Sequence, residues 1–171
     1  EQRHWAAVLH AGPSAVLADL TAAALGGLRG FEDPVVHVLV PHGSDARDLR
    51  VPSQDLLLRV RQSRRLAEQL VQPVREPRRL LLGEAVVDAA AGATSPARSR
   101  LLVVATVQQR LLRPEDLRRT VAARARLRRR ALILAALDDV EGGIHSLPER
   151  AWSRAIARHG LPSPVRQQRV R

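Results

Sequence analysis

Hydrophobic and polar positions in the first half of the chain follow the short blocks that are typical of β-strands. The clearest block, residues 35–40, is dense in β-branched residues and bounded by prolines, which predicts a buried strand. Residues 56–61 predict a second strand, and shorter strands are predicted at 15–17 and 71–74. The polar, proline-bounded stretch 44–53 predicts a loop. This half therefore predicts a small mixed or antiparallel sheet.

Helical spacing flanks this sheet and then dominates the second half of the chain. Residues 5–10 predict the end of one helix, and residues 20–25 predict another, with Asp19 or Thr21 as its cap. Further helices are predicted from Pro77 to Gly92, from Pro96 (after the cap Thr94-Ser95) to Leu112, from Pro114 onward, and from Leu127 to Val140. Strands first and helices afterwards predict the α+β fold class.

The last thirty residues carry the most specific helix-start signal. Ser146 and Glu149 have the spacing of a capping box, in which each side chain accepts a hydrogen bond from an otherwise unpaired backbone N–H. Gly160 is placed to end that helix, and residues 165–171 alternate like a strand. That strand would have no sheet to join, and residue 1 is Glu rather than Met. We therefore expect an internal fragment of a longer protein.

Composition excludes several classes of function. The 171 residues include no Cys, which excludes disulfides, thiolate metal sites and a Cys nucleophile. No apolar run is long enough to span a bilayer and no signal peptide is visible, so we expect a cytoplasmic protein without a membrane partner. With two Trp, one Phe and no Tyr, the chain lacks the aromatic faces of a single-strand binding platform.

A net charge of +11 favours a polyanionic partner. All 28 basic residues are Arg, and there is no Lys and no Asn, a bias that a GC-rich genome would also produce. The excess of Arg is therefore weaker support for nucleic-acid binding than the charge suggests. We still expect contact with DNA through its phosphates, which is sensitive to salt and carries no sequence information.

The densest basic run in the chain consists of Arg124, Arg126, Arg128, Arg129 and Arg130. At helical spacing these side chains would cover most of a turn, and two interpretations carry equal weight. The run is either a ridge that contacts nucleic-acid phosphates or a solvated corner between helices, partly balanced by Asp138, Asp139 and Glu141.

Motifs for the common catalytic chemistries are absent from the sequence. The six His residues have neither Cys partners nor the spacing of a zinc site, and His37 is expected on the polar face of its strand. No Gly-x-Ser-x-Gly elbow, Walker loop or Gly-x-Gly-x-x-Gly motif occurs. The sequence therefore predicts no metal ligands and no nucleophilic, nucleotide-hydrolysing or dinucleotide-dependent chemistry of its own.

Two stretches nevertheless resemble known families. Residues 12–28, the strand at 35–41 and the segment from Arg75 to Asp88 resemble the C-terminal domain of AbiEi-type antitoxins of type IV toxin–antitoxin systems. Residues 107–117 and 142–171 are similar to proteins in which that domain is fused to a Vsr-like endonuclease of the PD-(D/E)XK fold. The resemblance implies an AbiEi-like domain at 1–93, a helical connector at 94–142 and the start of a nuclease domain at 143–171.

The resemblance also gives Glu149 a second interpretation besides helix capping. In the nuclease family the opening helix carries a glutamate near the active site, followed by Gly-Leu-Pro-x-Pro, and here Glu149 and residues 160–164 occupy those places. The family's metal-binding acids would follow Arg171, so the fragment itself is expected to be inactive and to hold no cofactor. Its parent would be a DNA endonuclease that uses Mg²⁺.

Three functional hypotheses follow from these observations. The first is a DNA-associated protein of the AbiEi/Vsr-like kind, which is catalytically incomplete as given and has a possible cognate toxin. The second is an antitoxin-like transcriptional repressor without nuclease activity. The third is an Arg-rich interaction module with no role at nucleic acid.

Overall fold

Six α-helices and a four-stranded sheet make up residues 1–52 and 56–141, the part of the chain that the computed structural model describes. The helices are α1 (Gln2–Ala11), α2 (Asp19–Leu25), α3 (Leu82–Gly92), α4 (Pro96–Gln108), α5 (Pro114–Ala122) and α6 (Arg130–Glu141). The strands are β1 (Val16–Leu17), β2 (Val35–Pro41), β3 (Leu49–Val51) and β4 (Leu56–Ser63). A 3₁₀ turn covers Glu68–Leu70. This arrangement confirms the predicted α+β class.

The sheet is mixed, as predicted, with strand order β1-β2-β4-β3. The central strands β2 and β4 run parallel, and the outer strands β1 and β3 pair antiparallel with them. The two-residue strand β1 is bonded on both sides. On one side Ala18 N donates to His37 O at 2.9 Å, and on the other Leu17 N donates to Arg78 O at 2.8 Å while Leu80 N donates to Leu17 O at 2.9 Å. The segment that leads into α3 thus extends the sheet.

One face of the sheet packs against α1. Because side chains alternate along a strand, every second residue of β2 and β4 points to this face. The buried cluster there consists of Ala7, Val8, Ala11, Ala15, Leu17, Val36, Val38, Val40, Leu56 and Leu58. All are small or aliphatic, so this layer depends on apolar burial alone.

A second, larger core lies among helices α2 to α6. Its fully buried side chains include Val86 of α3, Leu102 of α4, Leu117 of α5, and Ile133 and Leu137 of α6. The predicted boundary between residues 93 and 94 falls between α3 and α4. Both helices contribute to this core, so the predicted parts 1–93 and 94–142 share it within the described residues.

Two helix starts follow the sequence signals closely. Ser95 is the N-cap of α4, where its hydroxyl oxygen accepts a hydrogen bond from Arg98 N at 3.1 Å and Pro96 fills the first turn. In α5 the Asp116 carboxylate accepts from Arg113 N at 3.3 Å. Local chemistry therefore fixed these two boundaries, as predicted.

Other predicted elements were wrong in extent. The predicted loop 44–53 contains β3, which pairs with β4 because distant residues complete its hydrogen bonds. The helix predicted from Pro77 begins at Leu82, because Leu80 is extended and forms a β-bridge with Val71. Of the predicted strand 71–74, only this bridge is present.

Three further sequence expectations were also wrong. Helix α4 ends at Gln108 rather than Leu112, and α6 begins at Arg130 rather than Leu127. Neither Asp19 nor Thr21 caps α2, whose N-cap is Ala18. The Thr21 hydroxyl instead accepts from the backbone N–H of β2, and Asp19 turns toward the sheet.

Candidate anion-binding cleft

A cleft of about 780 Å³ lies between the second face of the sheet and the helical core. Strands β2 and β4, helices α3 and α4, and the connection between α5 and α6 all contribute to its lining. Seven arginines and four carboxylates line it beside leucines and alanines, whereas the buried cluster on the other face has no charged residue among those described.

The register of the two central strands decides which side chains of β2 and β4 lie next to each other on the cleft face. His37 of β2 lies beside Arg59 of β4, and Leu39 lies beside Arg61. These residues alternate with the ones that pack on α1, so they face the cleft. The same two strands therefore supply the apolar layer on one side and the charged wall on the other.

The floor of the cleft is a continuous chain of ion pairs. Arg61 contacts Asp19 at 3.4 Å and Asp88 at 2.5 Å. Arg124 contacts both Asp88 and Glu84. Arg65 reaches Glu84 at 3.5 Å. Three arginines thus neutralise three carboxylates, and we name this set of residues the paired floor.

Arg124 is the central and most buried member of the paired floor, with 4% of its surface exposed. Its guanidinium also donates to the backbone oxygen of Glu84 at 3.1 Å, and its Nε is buried without a hydrogen-bond partner in the described part of the chain. Buried carboxylates on α3 are tolerated because Arg124 compensates their charge. The residue therefore joins the α5–α6 connection to α3.

His37 lies between Asp19 of the paired floor and Asp33, which is outside the floor. The ring of His37 lies 3.2 Å from Asp33 and 3.9 Å from Asp19. Burial raises the pKa of Asp19, although the positive charge of Arg61 opposes that shift. For Asp33, burial is outweighed by hydrogen bonds from Val35 N and the His37 ring, which lower its pKa. The pKa values of the two carboxyl groups are therefore shifted in opposite directions.

Four other arginines of the cleft make no ion pair with any described carboxylate. Arg59 extends from β4, and Arg126 and Arg128 are exposed on the α5–α6 connection. Arg98 of α4 lies over the ring of Phe31, 5.9 Å from its centroid. Only Asp33 remains outside the paired floor to balance them among the carboxylates that line the cleft, so its walls carry excess positive charge.

The predicted basic run does not form a helical ridge. Its residues lie in the connection between α5 and α6 or at the first residue of α6, and their side chains divide into two groups. Arg124 is buried, Arg129 donates to the backbone oxygens of Ala91 and Ala93, and Arg130 donates to the backbone oxygen of Arg124. Arg126 and Arg128 remain exposed.

The acids expected to balance that run have other partners. Arg118 contacts Asp138 at 2.6 Å and Glu141 at 2.7 Å, which links α5 to α6. Asp139 contacts Arg100 of α4 at 2.6 Å. The excess charge of Arg126 and Arg128 is therefore not offset by these carboxylates.

Sequence reasoning missed most of the residues that form the cleft. A signal was present for the floor: Glu84 and Asp88 are four residues apart in an otherwise apolar helix, so they share one face. The alternation of Arg59 and Arg61 with buried Leu58 was a signal for the wall. No sequence pattern identified Arg124 as the partner of α3.

The remaining predicted site residue, Glu149, lies outside the described residues, as do its capping box, the helix that would end at Gly160, the strand 165–171 and the domain 143–171. Within residues 1–52 and 56–141, no group of three or more His, Asp or Glu side chains is arranged to hold a metal ion. No helix in the same ranges is long and apolar enough to cross a membrane. The Mg²⁺-dependent nuclease stays a prediction.

Comparison of the chain with protein-family models, curated protein sequences and solved structures gives no match. The resemblance to AbiEi-type antitoxins and Vsr-like endonucleases therefore stays a prediction, and the site has to be interpreted from its own chemistry.

Proposed function

We propose that this chain is a DNA-associated protein of the AbiEi-like kind that the sequence resembles, and that Arg126 and Arg128 contact backbone phosphates. The observation that carries the proposal is that both side chains are exposed at the mouth of a positively charged cleft without a carboxylate partner among the described residues. Arginine presents a planar fork of donors that matches a phosphate group.

The excess positive charge of the cleft supports DNA as the partner. Ion pairs and backbone contacts limit which arginines are available to bind a phosphate. Arg124 is buried and neutralised, and Arg129 and Arg130 are committed to backbone oxygens. The original group of five therefore reduces to two phosphate contacts. Contacts of this kind position a protein on DNA and do not by themselves select a sequence.

The test is the salt dependence of binding to a mixed-sequence DNA duplex, measured by fluorescence anisotropy. The double variant Arg126→Gln with Arg128→Gln should bind more weakly, and the slope of log K against log salt should fall by about 2, or about 1 for each phosphate contact. Arg47→Gln with Arg75→Gln is the matched control, because it removes the same charge from two exposed residues outside the cleft.

Two results would contradict the proposal. If the full chain shows no binding to the duplex at low salt, the third hypothesis, an Arg-rich interaction module, replaces it. If both double variants lose affinity equally, attraction is general and the two cleft arginines have no special role. Duplex binding by a longer protein without metal-dependent cleavage would favour the repressor hypothesis over the nuclease.

A further inference from the structure

We propose that the interior of the cleft binds a small organic phosphate: a molecule with a phosphate or diphosphate group and an uncharged body of nucleotide size. Arg59 holds the phosphate from the sheet side, and Arg126 and Arg128 close over it. The inference does not rest on DNA binding, because its central residue lies on β4 rather than on the exposed connection.

The distribution of charge inside the cleft indicates that the ligand is an anion. The paired floor is neutral as a set, because each of its carboxylates already has an arginine partner. Arg59, Arg126 and Arg128 then line the same space without an ion pair to a described carboxylate, and Asp33 is the one lining carboxylate outside the floor. Like charges in a partly dehydrated cleft repel, and an anion bound between them relieves that repulsion.

The volume of the cleft indicates the size of the ligand. A volume of about 780 Å³ lies within the range of small-molecule sites, which is roughly 300 to 1,000 Å³. A DNA duplex is too wide to enter it. The cleft could admit only a small molecule or a few atoms of a strand's backbone. Among the described residues, its lining has no Phe, Tyr or Trp side chain of the kind on which successive bases of a single strand stack.

The apolar residues of the lining indicate that the ligand also has an uncharged body. Leu66, Leu70 and Leu127 are half-buried and line the cleft beside the charged residues. A bare inorganic phosphate would leave these leucines in contact with water. An organic body covers them, and the burial of apolar surface adds to the affinity.

The experiment is isothermal titration calorimetry of the full chain with ADP, pyrophosphate and adenosine as probes. ADP should bind more tightly than pyrophosphate, and adenosine should show no heat of binding, because it has no charge for the arginines. Arg59→Gln should weaken ADP binding by about tenfold or more. Arg47→Gln, an equal loss of charge outside the cleft, should leave it unchanged.

The duplex of the previous test separates the two sources of phosphate. Arg59→Gln should lose far more affinity for ADP than for the duplex, because Arg59 lines the cleft from β4 and is not part of the α5–α6 connection that is proposed to contact DNA. Equal loss of both would show that DNA supplies the phosphate and would overturn the proposal.

The proposal is also overturned if neither ADP nor pyrophosphate binds at millimolar concentration, or if Arg59→Gln binds ADP as the original chain does. Equal affinity for ADP and pyrophosphate would show that the leucines do not contribute to binding. The proposal that the ligand has an organic body would then be wrong. Arg59 makes no ion pair with a described carboxylate, so an unchanged thermal midpoint and circular dichroism spectrum will show that the variant is folded.

Discussion

The two faces of the sheet come from the same strands and are held by different forces. On the α1 side, Leu58 and Val38 pack among aliphatic residues, and no charge is buried there within the described residues. On the cleft side, buried Glu84 and Arg124 neutralise each other between α3 and the α5–α6 connection. We expect the apolar layer to lose stability in proportion to the size of the group removed, and the paired floor to lose most when the buried Arg124 is removed.

The largest effect is expected from Arg124→Gln. This change removes the buried guanidinium and leaves Glu84 with only Arg65 at 3.5 Å and Asp88 with only Arg61, which should lower the free energy of unfolding by about 3–5 kcal/mol. Urea denaturation at neutral pH measures it. Arg118→Gln is the control, because it removes the same charge from more exposed ion pairs between α5 and α6 and should cost at most about 1 kcal/mol. Similar losses in both variants would contradict a special role for burial.

The apolar face is tested by two adjacent leucines of β4. Leu58 is 1% exposed against α1, and Leu57, on the opposite face, is 39% exposed. Leu58→Ala should lower the free energy of unfolding by about 2–5 kcal/mol because it leaves a cavity. Leu57→Ala should cost only about 0.5 kcal/mol in the same denaturation experiment. If the two substitutions cost the same, the assignment of faces along β4 is wrong.

The smallest effect is a pH dependence at Asp19. Burial raises its pKa above the usual 3.8, so the folded protein holds this proton more tightly than the unfolded chain. Its contribution to stability is therefore complete below that value and is lost as the pH rises through the raised pKa. Asn also tolerates the left-handed backbone of this position, where φ is 46°, so Asp19→Asn removes the titration without new strain.

Thermal midpoints of both proteins between about pH 3 and pH 7 measure this difference. The original chain should lose stability relative to Asp19→Asn as the pH rises. A difference that is flat, or that changes in the opposite direction, would show that pairing with Arg61 outweighs burial.

The elements that sequence predicted correctly are those fixed by neighbouring residues. The β-branched run at residues 35–40 predicted β2, and the Ser95-Pro96 cap predicted the start of α4. Strand β3 was missed because it is only three residues long and exists through its pairing with β4. A local pattern carries no information about such a partner.

The cleft was less predictable for the same reason. Arg124 meets Glu84 across forty residues of sequence, and a dense basic run gave no sign that one member would be buried. Charge counting gave equal weight to a phosphate-contacting ridge and to a solvated corner between helices. The fold divided the run into buried, backbone-bonded and exposed arginines. Contact between the exposed pair and phosphates stays a prediction.

The hydrogen bonds on both sides of β1 have a consequence for how the chain folds. The amide of Leu17 reaches its acceptor only after the segment at Arg78 and Leu80 has been synthesised and has arrived beside it. We expect closure of this long loop to be slow, because its entropy cost comes before the stabilising contacts form. A protein cut between β4 and Arg78 would expose the bare edge of β1 and gain a surface prone to aggregation.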